Sequence, residues 1–158
     1  MKNTNKIFFS EKYQRLLKEL VFLERDRIFC RHDLEHFLSV ARISYILTLE
    51  AELDISKDLI YTTALLHDIG RVSEYKTGRE HDQASFELAK EFLIESDFNK
   101  DDKTLILGAI GKHRQDKGGD DFSAIFYKAD KLSRPCLVCP AQQKCNWPKK
   151  KMNLEISY

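Results

Sequence analysis

Apolar residues recur at helical spacing along most of this chain, and they predict a succession of helices. Ser10 can cap a helix over about 11–24, whose apolar stripe includes Leu17 and Leu20. A second helix is expected over about 33–52. Its apolar positions nearly encircle the helix axis, so this helix should lie at the centre of the fold.

Four further helices are predicted by the same periodicity. Ser56 caps the first of them and Gly70 ends it, and the others are expected over about 82–94, 100–111 and 123–132. The polar segments 74–79 and 116–121 contain glycine and are expected to be loops. No segment alternates between apolar and polar residues as a strand does. The chain is therefore predicted to be all-α, a bundle of about six helices.

Composition narrows the class of protein further. The chain has 158 residues, of which 42% are hydrophobic and 32% charged, and this suits a single globular domain over residues 1–158. A formal net charge of +1 gives no strong nucleic-acid signal. No apolar run is long enough for a membrane span, and the apolar stretch 7–9 is too short for a signal-peptide core. A cytoplasmic protein with reduced thiols is expected.

The most informative chemical feature is the dipeptide His67-Asp68, which closes the apolar helical run that begins after Ser56. An imidazole beside a carboxylate is costly to bury unless the two are paired or bound to a metal. His36 lies early in the predicted central helix and Asp130 lies in the last helix, so both can reach the core. These four residues are candidate metal ligands.

Histidine and carboxylate ligands suit a divalent transition metal, and Mn, Fe, Co, Ni and Zn all remain open. Such an ion lowers the pKa of a bound water towards neutrality and neutralises an anionic substrate. Asp68 can bridge two ions through its two oxygens, and it is the candidate catalytic residue that orients the attacking water. Asp68→Ala should therefore abolish turnover and leave the helical fold intact.

The series His36, His67-Asp68 and Asp130 resembles the signature of the HD superfamily of metal-dependent phosphohydrolases. The resemblance covers about 31–134, and it rests most strongly on the segment His67-Asp68-Ile69-Gly70-Arg71. It implies an all-α fold and the hydrolysis of a phosphate ester or anhydride by a metal-activated water. The expected partner is a small phosphorylated substrate, in particular a nucleotide.

The same resemblance suggests roles for three more histidines. His81 and His113 match in order the extra ligands of dinuclear members, so one or two ions are expected, although either histidine could bind phosphate instead. His32 is similar to a residue that contacts substrate or supports a ligand. Among the nearby cations, Arg71 and Lys131 directly flank ligands and are predicted to bind substrate phosphate, whereas Lys112 and Arg114 are more simply surface residues.

A second candidate site is formed by the cysteines. Cys136, Cys139 and Cys145 lie in the proline-rich tail 135–158, and Cys30 precedes His32 by two positions. The C-x-x-C spacing is typical of zinc and iron–sulfur sites, and three tail thiols with Cys30 would complete a four-sulfur site. Disulfides or free thiols are the alternatives.

Three functions follow from these features. The first is a metal-dependent phosphohydrolase. The second is a di-iron oxygenase of the HD type, which only the number of ligands favours. The third is a non-catalytic module that binds a nucleotide and senses redox state through its cysteines, but a binder need not retain a full ligand set.

Overall fold

The chain folds into a bundle of helices. A computed structural model describes residues 1–112 and 121–158, and the side chain of Lys112 is not among the parts described. The α-helices of the described residues are α1 (Lys2–Phe8), α2 (Glu11–Leu23), α3 (Leu34–Glu50), α4 (Lys57–Leu66), α5 (Arg71–Thr77), α6 (His81–Ile94), α7 (Lys100–Lys112) and α8 (Phe122–Leu132).

Helices α3 and α4 form the centre of the bundle. Helix α3 packs along both α4 and α8, and α4 also packs against α1 and α7. The apolar side chains that fill the space between them include Phe37, Ile60, Leu66 and Phe126, all fully buried. No strand occurs in residues 1–112 or 121–158, so the prediction of an all-α bundle is confirmed.

The structure contains two short helices that periodicity did not predict, and α1 is the first. Its segment is mostly polar, and it is held by a contact that is distant in sequence. The Asp58 carboxylate of α4 accepts hydrogen bonds from the backbone amides of Asn3 and Thr4, at 3.0 and 2.8 Å. A carboxylate at a helix N-terminus satisfies free amides there and complements the helix dipole. Helix α1 therefore depends on α4 rather than on its own sequence.

The second unpredicted helix is α5, which corrects the expectation of a loop over 74–79. Helix α4 ends at Leu66 rather than at Gly70, and the chain turns through His67 and Asp68 before α5 begins. Gly78 ends α5 in the left-handed conformation, with φ of 75°, which glycine adopts without strain. The polar composition of 74–79 reflects a short helix near the surface.

Gly70 is required for a close approach between α6 and the turn after α4. A Cβ at this position would lie 2.2 Å from the Ser85 backbone nitrogen and 2.6 Å from the His81 carbonyl oxygen. The Gly70 amide also donates to the Ser85 hydroxyl at 3.0 Å. The absence of a side chain therefore lets the start of α6 lie directly beside His67 and Asp68.

The remaining predicted helices agree with the structure to within a few residues. Ser10 and Ser56 cap α2 and α4 as expected, since each hydroxyl accepts from a backbone amide in the first turn. The loop expected over 116–121 falls, up to residue 120, outside the described residues. After α8 the tail contains only three single-turn 3-10 helices, Cys136–Val138, Gln142–Lys144 and Lys149–Lys151. Across the described ranges, no helix has both the length and the apolar character that crossing a membrane requires.

Candidate metal centre

The fold brings together the four residues that the sequence analysis selected as ligands. Potential ligand atoms of His36, His67, Asp68 and Asp130 all lie within 4.8 Å of one another. The group is almost completely enclosed by the bundle, with His67 fully buried and both aspartates 3% exposed or less. A cluster of this composition, size and burial could hold a divalent metal ion.

Three parts of the bundle position the four ligand candidates. His36 lies in the first turn of α3, where Asp33 caps the helix by accepting from the His36 amide at 3.0 Å. His67 and Asp68 occupy the turn that follows α4. Asp130 lies in the last turn of α8. The packing of α3 against both α4 and α8 therefore sets the distances within the group.

His36 and Asp130 face each other across the centre. The His36 Nε2 lies 3.5 Å from the Asp130 Oδ1, and neither atom has a hydrogen-bond partner among the described residues. On the other side of the ring, Ser133 Oγ lies 3.2 Å from Nδ1 and donates its own proton to the Asp130 carbonyl at 2.8 Å. Ser133 therefore accepts from Nδ1, and the lone pair of the imidazole lies on Nε2.

Burial keeps the His36 imidazole neutral. It lowers the pKa of His36 to about 3, an effect that the neighbouring His67 strengthens and that Asp130 only partly opposes. At neutral pH a lone pair on His36 therefore faces a carboxylate oxygen at 3.5 Å, with no proton between them. This arrangement is electrostatically unfavourable alone and becomes favourable around a cation.

His67 is held in a similar orientation. Its Nδ1 donates to the Ala64 carbonyl at 2.7 Å, while Nε2 lies 3.4 Å from Asp68 Oδ2 and 3.9 Å from Asp130 Oδ1. The edges and faces of Phe37 and Phe126 pack against the ring, with centroid distances of 5.5 and 5.4 Å. These contacts fix both the tautomer and the direction of the imidazole.

Asp68 contacts three imidazoles and one guanidinium. Its Oδ2 lies 3.6 Å from His32 Nε2, and its Oδ1 lies 3.4 Å from His81 Nε2. The same Oδ1 forms an ion pair with Arg71, whose Nε lies 3.1 Å away. Two further histidines therefore reach the cluster through Asp68, one at each of its oxygens.

His32 is supported by Glu24, a residue that the sequence analysis did not select. The Glu24 carboxylate, only 2% exposed, accepts from the His32 backbone amide at 2.6 Å and from Nδ1 at 2.7 Å. Tyr75 donates to the same carboxylate at 2.7 Å. Burial acts to raise the pKa of Glu24, but the contacts with His32 outweigh it and hold that pKa at about 2.

His81 is supported in the same way by Glu74. The Glu74 oxygens lie 3.0 and 3.1 Å from His81 Nδ1, and Arg71 Nη2 lies 3.3 Å from Nε2. Burial lowers the pKa of His81, although Asp68 acts in the opposite direction. The Arg71 guanidinium, which also contacts Glu74 at 3.3 Å, therefore lies between Asp68 and His81.

The four histidines share one arrangement. Each places Nδ1 against an oxygen acceptor and turns Nε2 towards Asp68 or Asp130. An oxygen acceptor behind the imidazole is the usual support of a metal-ligating histidine, because it fixes the tautomer that presents a lone pair to the ion. The arrangement therefore suits the binding of a metal ion.

Two cationic side chains contact Oδ2, the outer oxygen of Asp130. Lys131 Nζ donates to Oδ2 at 2.6 Å, and Arg134 Nη2 lies 3.8 Å from the same oxygen. Burial acts to raise the pKa of Asp130, but the charge of Lys131 and that of His67 lower it well below its usual range. Asp130 is therefore ionised, with Oδ1 directed into the cluster.

A cavity of about 960 Å³ opens on this centre. His32, His36 and Arg71 line it, together with five other cationic side chains, and only three acids line it. Those five cations are Arg25, Arg27, Arg31, Arg134 and Lys144, and the acids are Asp26, Asp33 and Glu35. A pocket of this size and sign suits a small anionic ligand.

The structure places most of the predicted site residues near one another. His32, His81 and Arg71 contact Asp68, and Lys131 contacts Asp130. His113 and Arg114 lie outside the described residues. The cysteines Cys30, Cys136, Cys139 and Cys145 all line the same cavity and are free thiols.

Three supporting residues were missed by sequence reasoning. Glu24 had a detectable signal, because it continues the stripe of Tyr13, Leu17 and Leu20 on the buried face of α2. A carboxylate at a core position needs a partner. Glu74 and Ser133 had no such signal, because the first was assigned to a loop and the second is a serine just after a helix.

Comparisons with known proteins agree with this geometry. The family model of the HD domain matches residues 33–135. An uncharacterized protein of Clostridium beijerinckii is 42% identical over 158 residues, which is the full length of both chains. The chain therefore belongs to the HD domain family.

A solved structure shares the fold. The crystal structure of a predicted HD superfamily hydrolase from an uncultured Thermotogales bacterium superposes with a TM-score of 0.62 and 21% sequence identity. The match covers 89% of this chain and 81% of that one. At this identity the likeness concerns the architecture of the bundle.

Proposed function

We propose that the protein is a metal-dependent phosphohydrolase that acts on a small phosphorylated substrate. The observation that carries the proposal is the convergence of four histidine Nε2 atoms on two buried carboxylates, each imidazole being held from behind by an oxygen. The neutral His36 Nε2 and the Asp130 Oδ1, which face each other at 3.5 Å, repel one another unless a cation lies between them. Membership of the HD domain family supports the same reading.

His36, His67, Asp68 and Asp130 are the proposed ligands of one divalent transition metal ion. Bound there, the ion would lower the pKa of a coordinated water towards neutrality and stabilise negative charge on a phosphate. The chain itself supplies the geometry: Ser133 and the Ala64 carbonyl orient the two histidines. Asp68 is proposed to accept the proton of the attacking water through an oxygen that faces the cluster.

The position of Arg71 favours one metal ion at this centre rather than two. Its guanidinium already places a positive charge between Asp68 and His81, where a second ion would otherwise balance the carboxylate. We infer that Arg71 holds Asp68 and faces the transferred phosphate, whose developing charge it would stabilise. Lys131 is proposed to assist by holding Asp130.

The cavity supports a substrate larger than phosphate alone. Its volume of about 960 Å³ is in the upper range for small-molecule pockets, and cations predominate on its walls. Trp147 and Phe29 also line it and offer flat apolar surfaces. A nucleotide combines a polyphosphate with a planar base, so a nucleotide is the proposed substrate class.

The experiment is a substrate screen on metal-free protein reloaded separately with Mn²⁺, Fe²⁺, Co²⁺, Ni²⁺ or Zn²⁺. Release of phosphate or pyrophosphate is measured from nucleoside mono- and triphosphates, sugar phosphates and a generic aryl phosphate. The expected result is metal-dependent release with at least one substrate, lost in Asp68→Ala. Asp54→Ala is the matched control, because Asp54 is an exposed aspartate in the α3–α4 loop.

The outcomes separate the proposal from its rivals. Release that survives Asp68→Ala would refute the role of this centre. Tight nucleotide binding without release under any metal would favour a binding module. Oxygen consumption with iron in place of hydrolysis would identify an oxygenase.

A further inference from the structure

The four cysteines form a second cluster, which is separate from the histidine–aspartate centre. Cys136 follows Asp130 by six positions, and Cys30 precedes His36 by six. All four cysteines line the cavity that His36 also lines.

Burial is the main influence on the Cys30 thiol. It raises the pKa of that thiol, Arg134 acts to lower it, and Cys136 and Cys139 act to raise it. Among the described residues, no three thiol sulfurs lie within 4.8 Å of one another, whereas the candidate ligand atoms of the histidine–aspartate group do. A tetrahedral zinc ion with Zn–S bonds of about 2.3 Å would instead hold its sulfurs about 3.8 Å apart.

The tail that carries three of these thiols has little packing of its own. Among its hydrophobic side chains only Cys136 and Ala141 are buried, whereas Val138 is 80% exposed. Its regular structure consists of three single-turn 3-10 helices. So small a core does not normally order more than twenty residues without a cross-link or a metal.

The tail is nevertheless fixed to the bundle at defined points. Asn153 Nδ2 lies within 3.1 Å of the carbonyl oxygens of Lys131, Leu132 and Arg134, at the end of α8 and just after it. The Arg134 guanidinium stacks over the Trp147 ring at 4.0 Å. These contacts hold the tail against the end of α8, beside the cavity that the cysteines line.

Two arginines lie beside the segments that carry the cysteines. Arg134 lines the cavity with all four cysteines, and Arg27 Nε donates to the Cys30 carbonyl at 2.8 Å. Thiolates are the ligand form of cysteine, and cations nearby offset the negative charge of a thiolate cluster.

We propose that Cys30, Cys136, Cys139 and Cys145 together ligate an iron–sulfur cluster. In such a cluster, iron and sulfide ions lie between the four thiolates. The thiolate sulfurs are therefore farther apart than those that bind a single zinc ion. The C-x-x-C pair provides two adjacent ligands from one turn, as clusters of this kind require. The cluster would cross-link the tail to the segment before α3 and form one wall of the cavity that leads to His36.

The test uses the full chain purified without oxygen or chelator. Iron, zinc and acid-labile sulfide are measured per chain, together with the visible absorption before and after reduction by dithionite. The expected result is iron with comparable sulfide and a visible band that reduction bleaches. Sulfide distinguishes this site from iron bound at the histidine–aspartate centre, which carries none.

Variants assign the ligands. Each of Cys30→Ser, Cys136→Ser, Cys139→Ser and Cys145→Ser should lower sulfide and the visible band at least several-fold. Asp68→Ala and the tail control Val138→Ser should retain both signals. If the cysteine variants do not fold, Mössbauer spectroscopy of the wild-type protein still reports whether its iron has sulfide and thiolate ligands.

Three results would overturn the proposal. Zinc without sulfide would identify a mononuclear site and exclude the cluster. Sulfide retained in all four serine variants would exclude the cysteines. A Cys30→Ser variant with the full wild-type signal would remove Cys30 from the ligand set.

Discussion

The helical bundle and the cysteine tail organise their candidate ligands in different ways. In the bundle, helix packing and supporting oxygens fix His36, His67, Asp68 and Asp130 within 4.8 Å before any ligand binds. In the tail, single-turn 3-10 helices carry thiols that share a cavity without that proximity. The first centre is preorganised by the fold, whereas the second is expected to gain order from what it binds.

The largest effect is expected at the preorganised centre. Asp130→Asn keeps the shape of the side chain and removes its charge, so it should lower kcat/KM on the order of 10³-fold by weakening the hold on the metal. Helicity by circular dichroism should not change, because α8 remains packed on α3. Activity within tenfold of wild type would show that Asp130 is not a ligand.

The packing that preorganises the bundle can be broken at Gly70. In Gly70→Ala the new Cβ would meet the Ser85 backbone at 2.2 Å, so the variant should lose about 3 kcal/mol of unfolding free energy in urea. The displaced start of α6 carries His81, and activity should fall as well.

Gly108→Ala is the matched control for this comparison. Its nearest neighbour would be Ser123 Oγ at 3.9 Å, and alanine favours the helical conformation of α7. The control should therefore be stabilised by about 0.5–1 kcal/mol. Equal stability of the two alanine variants would contradict the close contact at Gly70.

The support of His32 predicts a pH dependence. The Glu24 pKa is about 2 in the folded protein and ordinarily 4.5, so its ionised form favours folding above about pH 4.5. That contribution is lost as the pH falls towards 2. In metal-free protein, wild type should therefore lose more stability than Glu24→Gln between about pH 5 and pH 2.5.

The urea midpoints of both proteins across this range provide the measurement. Glu11→Gln, at an exposed position in the first turn of α2, should follow wild type. Parallel pH profiles for wild type and Glu24→Gln would contradict the lowered pKa of Glu24 in the folded protein. In the metal-loaded enzyme, Glu24→Gln should lower activity about 10- to 100-fold, as is usual when a supporting partner is removed.

The smallest effect on the stability of the bundle is expected from a substitution in the tail. Cys139→Ser should shift the melting temperature of the helical signal by no more than about 4 °C, because the core lies elsewhere. Cleavage of residues 136–158 by a protease should become several-fold faster than in wild type. Unchanged protection of the tail would indicate that packing and Asn153 alone hold it.

The sequence was sufficient to select the four candidate ligands, but it was not sufficient to identify the residues that support them. His67-Asp68 stood out because a buried imidazole and carboxylate have no structural use in an apolar helix, and His36 and Asp130 followed from helical position. Glu24 continues the buried stripe of α2, which can be recognised in the sequence. The contact of Ser133 with His36 depends on how α3 and α8 meet, which the periodicity of a single sequence does not encode.

The fold was likewise predictable only in part from the sequence. The long helices have apolar stripes of their own, and their predicted ranges agree with the structure. Helix α1 depends on capping by Asp58, and α5 depends on the approach of α6 to Gly70. Both are tertiary effects. For the cysteines the spacing indicated a site, while the distances between the thiols come only from the structure.

The most direct test of the central claim is the metal content of wild type beside Asp68→Ala and Asp54→Ala. Each metal-free protein is equilibrated with an equal mixture of Mn²⁺, Fe²⁺, Co²⁺, Ni²⁺ and Zn²⁺ and analysed by elemental mass spectrometry, and phosphate release is assayed on the same samples. The account predicts one equivalent more metal in wild type and Asp54→Ala than in Asp68→Ala, with phosphate release following that equivalent. Equal metal in all three proteins would contradict it.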